Sequence, residues 1–236
     1  MAVMARYPDK HFSLACVDPP YGIQQDSCRV KSRGKLAPTT NWGNFDWDRQ
    51  PPPVEYFKEL MRVSENQIVF GANHFINKMA FDSPCWIVWD KDNGDSHYAD
   101  CELAWSSFKT AVRKFKHRWN GMLQANMAEK EKRIHPTQKP VALYSWLLAN
   151  YAQPGDRIFD SHGGSLSSVI ACVRHGFSIT CCELDPDYFK AGVERVQREM
   201  DQFVLDLPNC PVASEVDLFQ SADANIPSPD TQAALI

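Results

Sequence analysis

Four consecutive residues, Asp18-Pro19-Pro20-Tyr21, are the clearest chemical signal in this chain. They follow Phe12-Ser13-Leu14-Ala15-Cys16-Val17, a short and mostly apolar run that reads as a buried strand. Proline cannot donate to a sheet ladder and holds the residue before it extended. The pair therefore forces the backbone out of the sheet at its carboxyl edge and leaves carbonyls free there. An amino group on an aromatic base is a poor nucleophile, because its lone pair is delocalised into the ring. Two acceptors aimed at its N–H bonds, the Asp18 carboxylate and the Pro19 carbonyl, would localise that lone pair, and Tyr21 offers a face on which a planar base stacks. A strand-ending turn with a capping Asp is the alternative reading of the same four residues.

The second half of the chain supplies a complementary pattern. Arg157 to Asp160 reads as a strand, followed by Ser161-His162-Gly163-Gly164-Ser165, a helix from Leu166 to His175, and a strand from Phe177 to Cys182 that ends in Glu183. Strand, Gly-rich turn, helix, strand and acid together suit a nucleotide-like ligand. The turn allows close backbone approach, and an acid about 20 residues on can bond both ribose hydroxyls; Glu183 lies 23 residues after Asp160. His135-Pro136-Thr137-Gln138-Lys139-Pro140 precedes a helix through Tyr151, whose start offers unpaired N–H groups to a carboxylate with the Lys139 charge beside them.

With Asn66 to Asn73, Trp86 to Lys91 and Asp100 to Trp105, these segments resemble the amino-methyltransferases of DNA over about residues 1 to 200. The likeness is to the group whose catalytic motif precedes its donor-binding motif, and within it to small adenine-specific enzymes of phage and prophage type. The resemblance implies one Rossmann-like α/β domain of permuted motif order, a mostly parallel sheet with helices on both faces and an antiparallel edge hairpin. It implies S-adenosylmethionine as donor, catalytic Asp18, Pro19, Pro20 and Tyr21, and a donor site formed by His135, Thr137, Lys139, Asp160, Ser161, His162, Gly163, Gly164, Ser165 and Glu183, with no metal. Asp at the first catalytic position favours adenine N6 over cytosine N4. The rivals are a cytosine-N4 or RNA-base methyltransferase and a catalytically silent DNA-binding or clamp-docking module. Two departures motivate the last. Relatives carry an earlier strand ending in an Asp-Cys pair that helps bind the donor's adenine, which is not seen here, and Leu166 replaces a glycine of the donor loop, so weaker donor binding is expected.

The remaining sequence frames these sites. At 236 residues and 44% hydrophobic composition, the chain suits one well-buried α/β domain. Its expected span is 1–203, followed by an acidic, disordered tail over 204–236. There is no apolar run of about 18 residues and no signal peptide before Asp18. The eight cysteines fall in core elements or stand apart, with no C-x-x-C pair, which points to reduced thiols in the cytoplasm of a bacterium or phage-infected host. The net charge of −4 conceals a partition: residues 201–236 hold acids and no Lys or Arg, so the rest is slightly basic. Expected DNA contacts are Arg29, Lys31 and Arg33 on the long polar stretch Gly22 to Trp47, and Arg113, Lys116 and Arg118 in a short target-reading insert over 108–133 whose part from Met122 to Lys132 looks mobile. Further elements are a helix opened by Pro51-Pro52-Pro53, strands over 67–71 and 85–89, a hairpin from Ala99 to Phe115, and a helix from Asp187 to Met200. In the tail, Glu215-Val216-Asp217-Leu218-Phe219 resembles the short peptide with which bacterial DNA-processing proteins dock onto the sliding clamp.

Overall fold

The computed structural model describes residues 1–23, 47–79, 82–94, 99–120, 123–128, 130–206 and 216–220. Eight strands form one sheet: β1 (Phe12–Val17), β2 (Ser64–Phe70), β3 (Trp86–Asp90), β4 (Cys101–Ser106), β5 (Arg113–Lys116), then, after the two-residue pair β6 (Trp119–Asn120) and β7 (Leu123–Gln124), β8 (Arg157–Asp160), β9 (Ser178–Glu183) and β10 (Val216–Gln220). Across the sheet the order is β10-β9-β8-β1-β2-β4-β3-β5. β1 pairs in parallel with both β2 and β8, and β8 with β9. β4 runs antiparallel to β2 and β3, which gives the antiparallel pair expected within a mostly parallel sheet.

Alternation along β1 separates two cores. Leu14 and Cys16 join one buried cluster with α2 (Val141–Tyr151) and α3 (Ser167–His175), while Ala15 and Val17 join another with α1 (Val54–Val63). Parallel strands covered on both faces read as nearly continuous apolar runs, as β1 and the 68–70 end of β2 do. α1 starts at its proline cap, Pro53, and turns Tyr56, Phe57, Leu60 and Val63 onto the sheet. α3 ends at Gly176, whose left-handed backbone lets its N–H reach back to the carbonyls of Cys172 and Val173.

From β1 the chain winds through α1 to β2 on one side, and from β8 through α3 to β9 on the other. The junction between β8 and β1 is therefore the topological switch point of the sheet, where the crevice beyond the carboxyl ends of the strands opens. Asp18 and the Ser161–Ser165 loop emerge side by side at that junction.

Three expectations require correction. The hairpin lies between β3 and β4, not over 99–115: β5 pairs in parallel with β3, so Arg113–Lys116 of the expected target-reading insert form a sheet edge. Gln124 and Glu131, within the stretch expected to be mobile, are tied to each other: the Gln124 side chain exchanges two 2.8 Å hydrogen bonds with the backbone of Glu131, whose carboxylate holds Arg195 at 2.6 Å. Finally, regular structure continues beyond the expected boundary at residue 203. α4 (Pro186–Asp206) runs further, and Val216 to Gln220 return as β10 in register with β9. Val216 and Leu218 pack on the larger core, so these residues of the proposed clamp peptide form a strand rather than a free leash; an apolar alternating run satisfies its backbone best at an open sheet edge. Glu215 and the rest of the tail lie outside the described residues. No helix among the described residues is long and apolar enough to cross a membrane.

Candidate active site

At the tip of β1 the Tyr21 hydroxyl donates to Asp18 Oδ1 at 2.7 Å. The Tyr21 ring lies against the backbone of Gly71, whose φ of +67° and lack of a side chain are both required: a Cβ there would stand 2.0 Å from the ring. One face of Tyr21 stacks on His74, with centroids 5.1 Å apart and planes at 16°.

Lys139, expected to offer its charge to the donor, has its ammonium buried and shared among the Asp18 carboxylate, Glu102 Oε2 at 3.1 Å and the Tyr21 hydroxyl at 3.2 Å. An ammonium has three N–H donors, and three acceptors occupy them. Lys91 approaches the other oxygen of Glu102 at 2.5 Å. Burial pushes Asp18 above the ordinary carboxylate range, opposed by the charge of Lys139. Burial acts on Glu102 in the same sense, but Lys139 and Lys91 together hold it at about 2. Burial would lower Lys139, and its two carboxylates raise it instead.

Beside this cluster lies a cavity of about 590 Å³, lined by Asp18, Pro20, the Ser161–Ser165 loop, His135, Thr137, Lys139 and Glu183. The loop is held tightly to β9. Gly163 N donates to the Cys182 carbonyl at 2.7 Å, and a Cβ on Gly163 would meet Cys181 Sγ at 2.7 Å. Glu183 accepts from Gly164 N at 2.6 Å and Asp185 N at 2.8 Å, which leaves further lone pairs on both of its oxygens. Ser161 Oγ bridges His162 Nδ1 at 2.9 Å and the Tyr56 hydroxyl at 2.7 Å. Burial lowers both His162 and His135 to about 4, the latter helped by Lys139, so both imidazoles are neutral near pH 7.

Two residues of the donor motif play other parts. Asp160 is fully buried and does not line the cavity; it accepts from Ser168 Oγ at 2.6 Å and His162 N at 3.0 Å, shaping the loop from beneath. Burial raises it to about 7, against those hydrogen bonds. Leu166 adopts a left-handed backbone with φ +57°, yet its side chain is 1% exposed and points into the core. Gly163 and Gly192 make that possible, since a Cβ on either would come within 2.6 to 2.7 Å of the leucine. The side chain does not occupy the approach to the donor loop, contrary to the expectation of an obstruction.

The expected DNA contacts are less concentrated. Lys116 pairs with Asp92 at 2.9 Å and Arg118 with the same residue at 2.7 Å. Arg113 begins β5, four strands from β1, or about 19 Å at ordinary strand spacing. Arg29, Lys31 and Arg33 lie outside the described residues. Sequence reasoning missed Glu102, Tyr56, Tyr144, Leu184 and the N-terminal Met1 to Met4, which complete the cluster or the cavity wall. For Glu102 there was a signal: an acid interrupting an otherwise apolar strand.

A parallel sheet with its cavity at the switch point, a glycine loop clamped by the acid of the next strand, and an Asp-Pro-Pro-Tyr turn facing that loop define an α/β domain of the methyltransferase class. Solved structures agree on the fold. The M1.HpyAVI–SAM complex superposes with a TM-score of 0.50 at 20% identity, over 82% of this chain and 92% of that one. The PvuII DNA methyltransferase, cytosine-N4-specific, does so with a TM-score of 0.52 at 13% identity, over 91% and 90%. Residues 80–194 match the DNA methylase family of the N6/N4 type. The DNA adenine methyltransferase YhdJ of Escherichia coli (strain K12) is 32% identical over 62 residues, which span 26% of this chain and 21% of that protein. The chain is thus similar to the N6-adenine/N4-cytosine DNA methylases over 80–194, and it spans about a fifth of the length of YhdJ.

Proposed function

We propose that this chain transfers a methyl group from S-adenosylmethionine to adenine N6 in DNA. The observation that carries the reading is the single cavity shared by Asp18 at the tip of β1 and the Gly163-Gly164 loop after β8. Its volume falls in the ordinary range for cofactor pockets, roughly 300–1,000 Å³. S-adenosylmethionine, when bound, supplies a methyl group on a positively charged sulfur. Glu183 would hold the ribose hydroxyls, and the loop backbone would allow close approach. Neutral His135 and His162 set no positive charge against the sulfonium. Asp18 and the Pro19 carbonyl would accept from the target amine, and Tyr21 would orient Asp18 while flanking the base.

The target amine is inaccessible in a stacked duplex, so the base is extruded at a cost of a few kcal/mol. β5 and the residues after it are the proposed track for the DNA backbone, with Lys116 and Arg118 exchanging Asp92 for phosphate. The proposed domain runs from the N-terminus through α4 and includes β10.

Mass spectrometry of nucleosides from DNA and RNA incubated with the protein and donor tests the reading, with calorimetry of donor binding in parallel. N6-methyladenine is expected in DNA; it should vanish in Asp18→Ala while that variant still binds donor. Methylcytosine as the sole product would overturn the base assignment. Donor binding without any methylated product would favour a silent DNA-binding module.

A further inference from the structure

We propose that Glu102, backed by Lys91, is a positioning residue for the methyl transfer: it shares Lys139 with Asp18 and so sets the aim of the catalytic carboxylate and the pH range over which it accepts hydrogen bonds. The proposal rests on the reading above. Four charges alternate in sign through the cluster, in the order Lys91, Glu102, Lys139, Asp18. Glu102 stands on β4, two places from β1 in the sheet, and Lys139, on the segment entering α2, spans between them. Beneath it, Phe70 presents its ring 4.9 Å from the ammonium, so the charge has no water on that side.

A structural ion pair would need only Lys91 and Glu102. The second contact of Glu102 with Lys139, and its 3.4 Å approach to the Tyr21 hydroxyl, direct it into the catalytic group. Asp18 faces Lys139, Tyr21 and Glu102 directly, with Asp160, Tyr144 and Tyr56 near enough to respond to its charge. Removing the charge of Glu102 frees Lys139 to serve Asp18 alone and removes a like charge, so Asp18 becomes more acidic. Removing Lys139 leaves two carboxylates facing each other across one hydroxyl, and Asp18 becomes less acidic.

Neighbouring substitutions should therefore move the acid limb of the kcat–pH profile in opposite directions. Glu102→Gln is expected to shift it down by roughly one pH unit, and Lys139→Met up by roughly one or more. Glu102→Asp, which keeps the charge, should return the limb close to its wild-type position. Donor affinity should stay within about twofold in the two Glu102 variants, since Glu102 does not line the donor cavity. A limb unmoved in Glu102→Gln, or moved upward as in Lys139→Met, would overturn the proposal. If Lys139→Met does not fold, the Gln and Asp substitutions at 102 still decide. Titration of the Asp18 carboxyl by carbon NMR, with no DNA present, reads the same shifts without turnover. Shifts there with no product from the wild type would sustain the positioning role and defeat the methylation reading; product without shifts would do the reverse.

Discussion

Leu166 offers the sharpest test of the packing argument. Its backbone sits in the left-handed region, which costs a residue bearing a Cβ about 1–2 kcal/mol. Its side chain, wedged beside Gly163 and Gly192, recovers about 1.5–3 kcal/mol by burial. Leu166→Ala keeps the Cβ and its strain but loses the packing, so a loss of about 2–5 kcal/mol is expected. Leu166→Gly loses slightly more side chain and about 0.5–1 kcal/mol to added backbone freedom, but sheds the strain. Glycine should therefore be more stable than alanine here by about 0.5–1 kcal/mol, the reverse of the usual order inside an element. Urea denaturation of the two variants measures this as a midpoint difference of roughly 0.3 M. An alanine variant as stable as the glycine variant, or more so, would refute the strain assignment. The same pair tests the site. Because the leucine points into the core, Leu166→Gly should leave donor affinity within a few-fold, and a tenfold gain would show that the side chain does obstruct the loop.

Two further outcomes follow from the geometry. Asp160 keeps its proton to about pH 7 in the folded state, whereas in the unfolded chain it ionises near 4. The unfolded state therefore gains relative stability as pH rises from about 4 to 7, by at most about 4 kcal/mol, and none of that dependence arises below 4. Asp160→Asn should flatten this part of the stability–pH curve measured by denaturation; a wild-type contribution that grows with pH across the same interval would contradict the burial argument. Gly71→Ala would place a Cβ 2.0 Å from the Tyr21 ring at a φ of +67°. Displacing the ring should lower kcat about 100-fold with donor affinity unchanged, and normal turnover would mean that the position of Tyr21 is not needed.

The strand tips were legible early because their signals are local. A proline pair ends β1 wherever the chain goes next, and the Gly-rich turn between Asp160 and the helix needs only its own backbone freedom. Apolar periodicity likewise marks α1, and the run from Val141 to Tyr151 after Pro140 marks α2. Even so, periodicity does not say which strand is whose neighbour. β3 and β5 pair in parallel although only the antiparallel hairpin was anticipated, and Val216–Gln220, expected in the tail, pair with β9 because a short apolar run fits a partner's groove or the chain's own sheet edge equally well.

The residues that meet at the cavity could be named from the primary structure, among them Asp18, Gly163, Gly164 and Glu183, with Tyr21 bonded to Asp18 beside them. What those groups do for one another was decided by folding. Lys139 lies 118 residues after Tyr21 and 37 after Glu102, yet takes both, with Asp18, as its hydrogen-bond acceptors. Leu166 finds its room in Gly192 on another helix. Backbone preferences extend over a few residues, whereas electrostatic pairing and packing depend on distance in space, and that distance exists only once the sheet has brought β1, β4 and β8 into order.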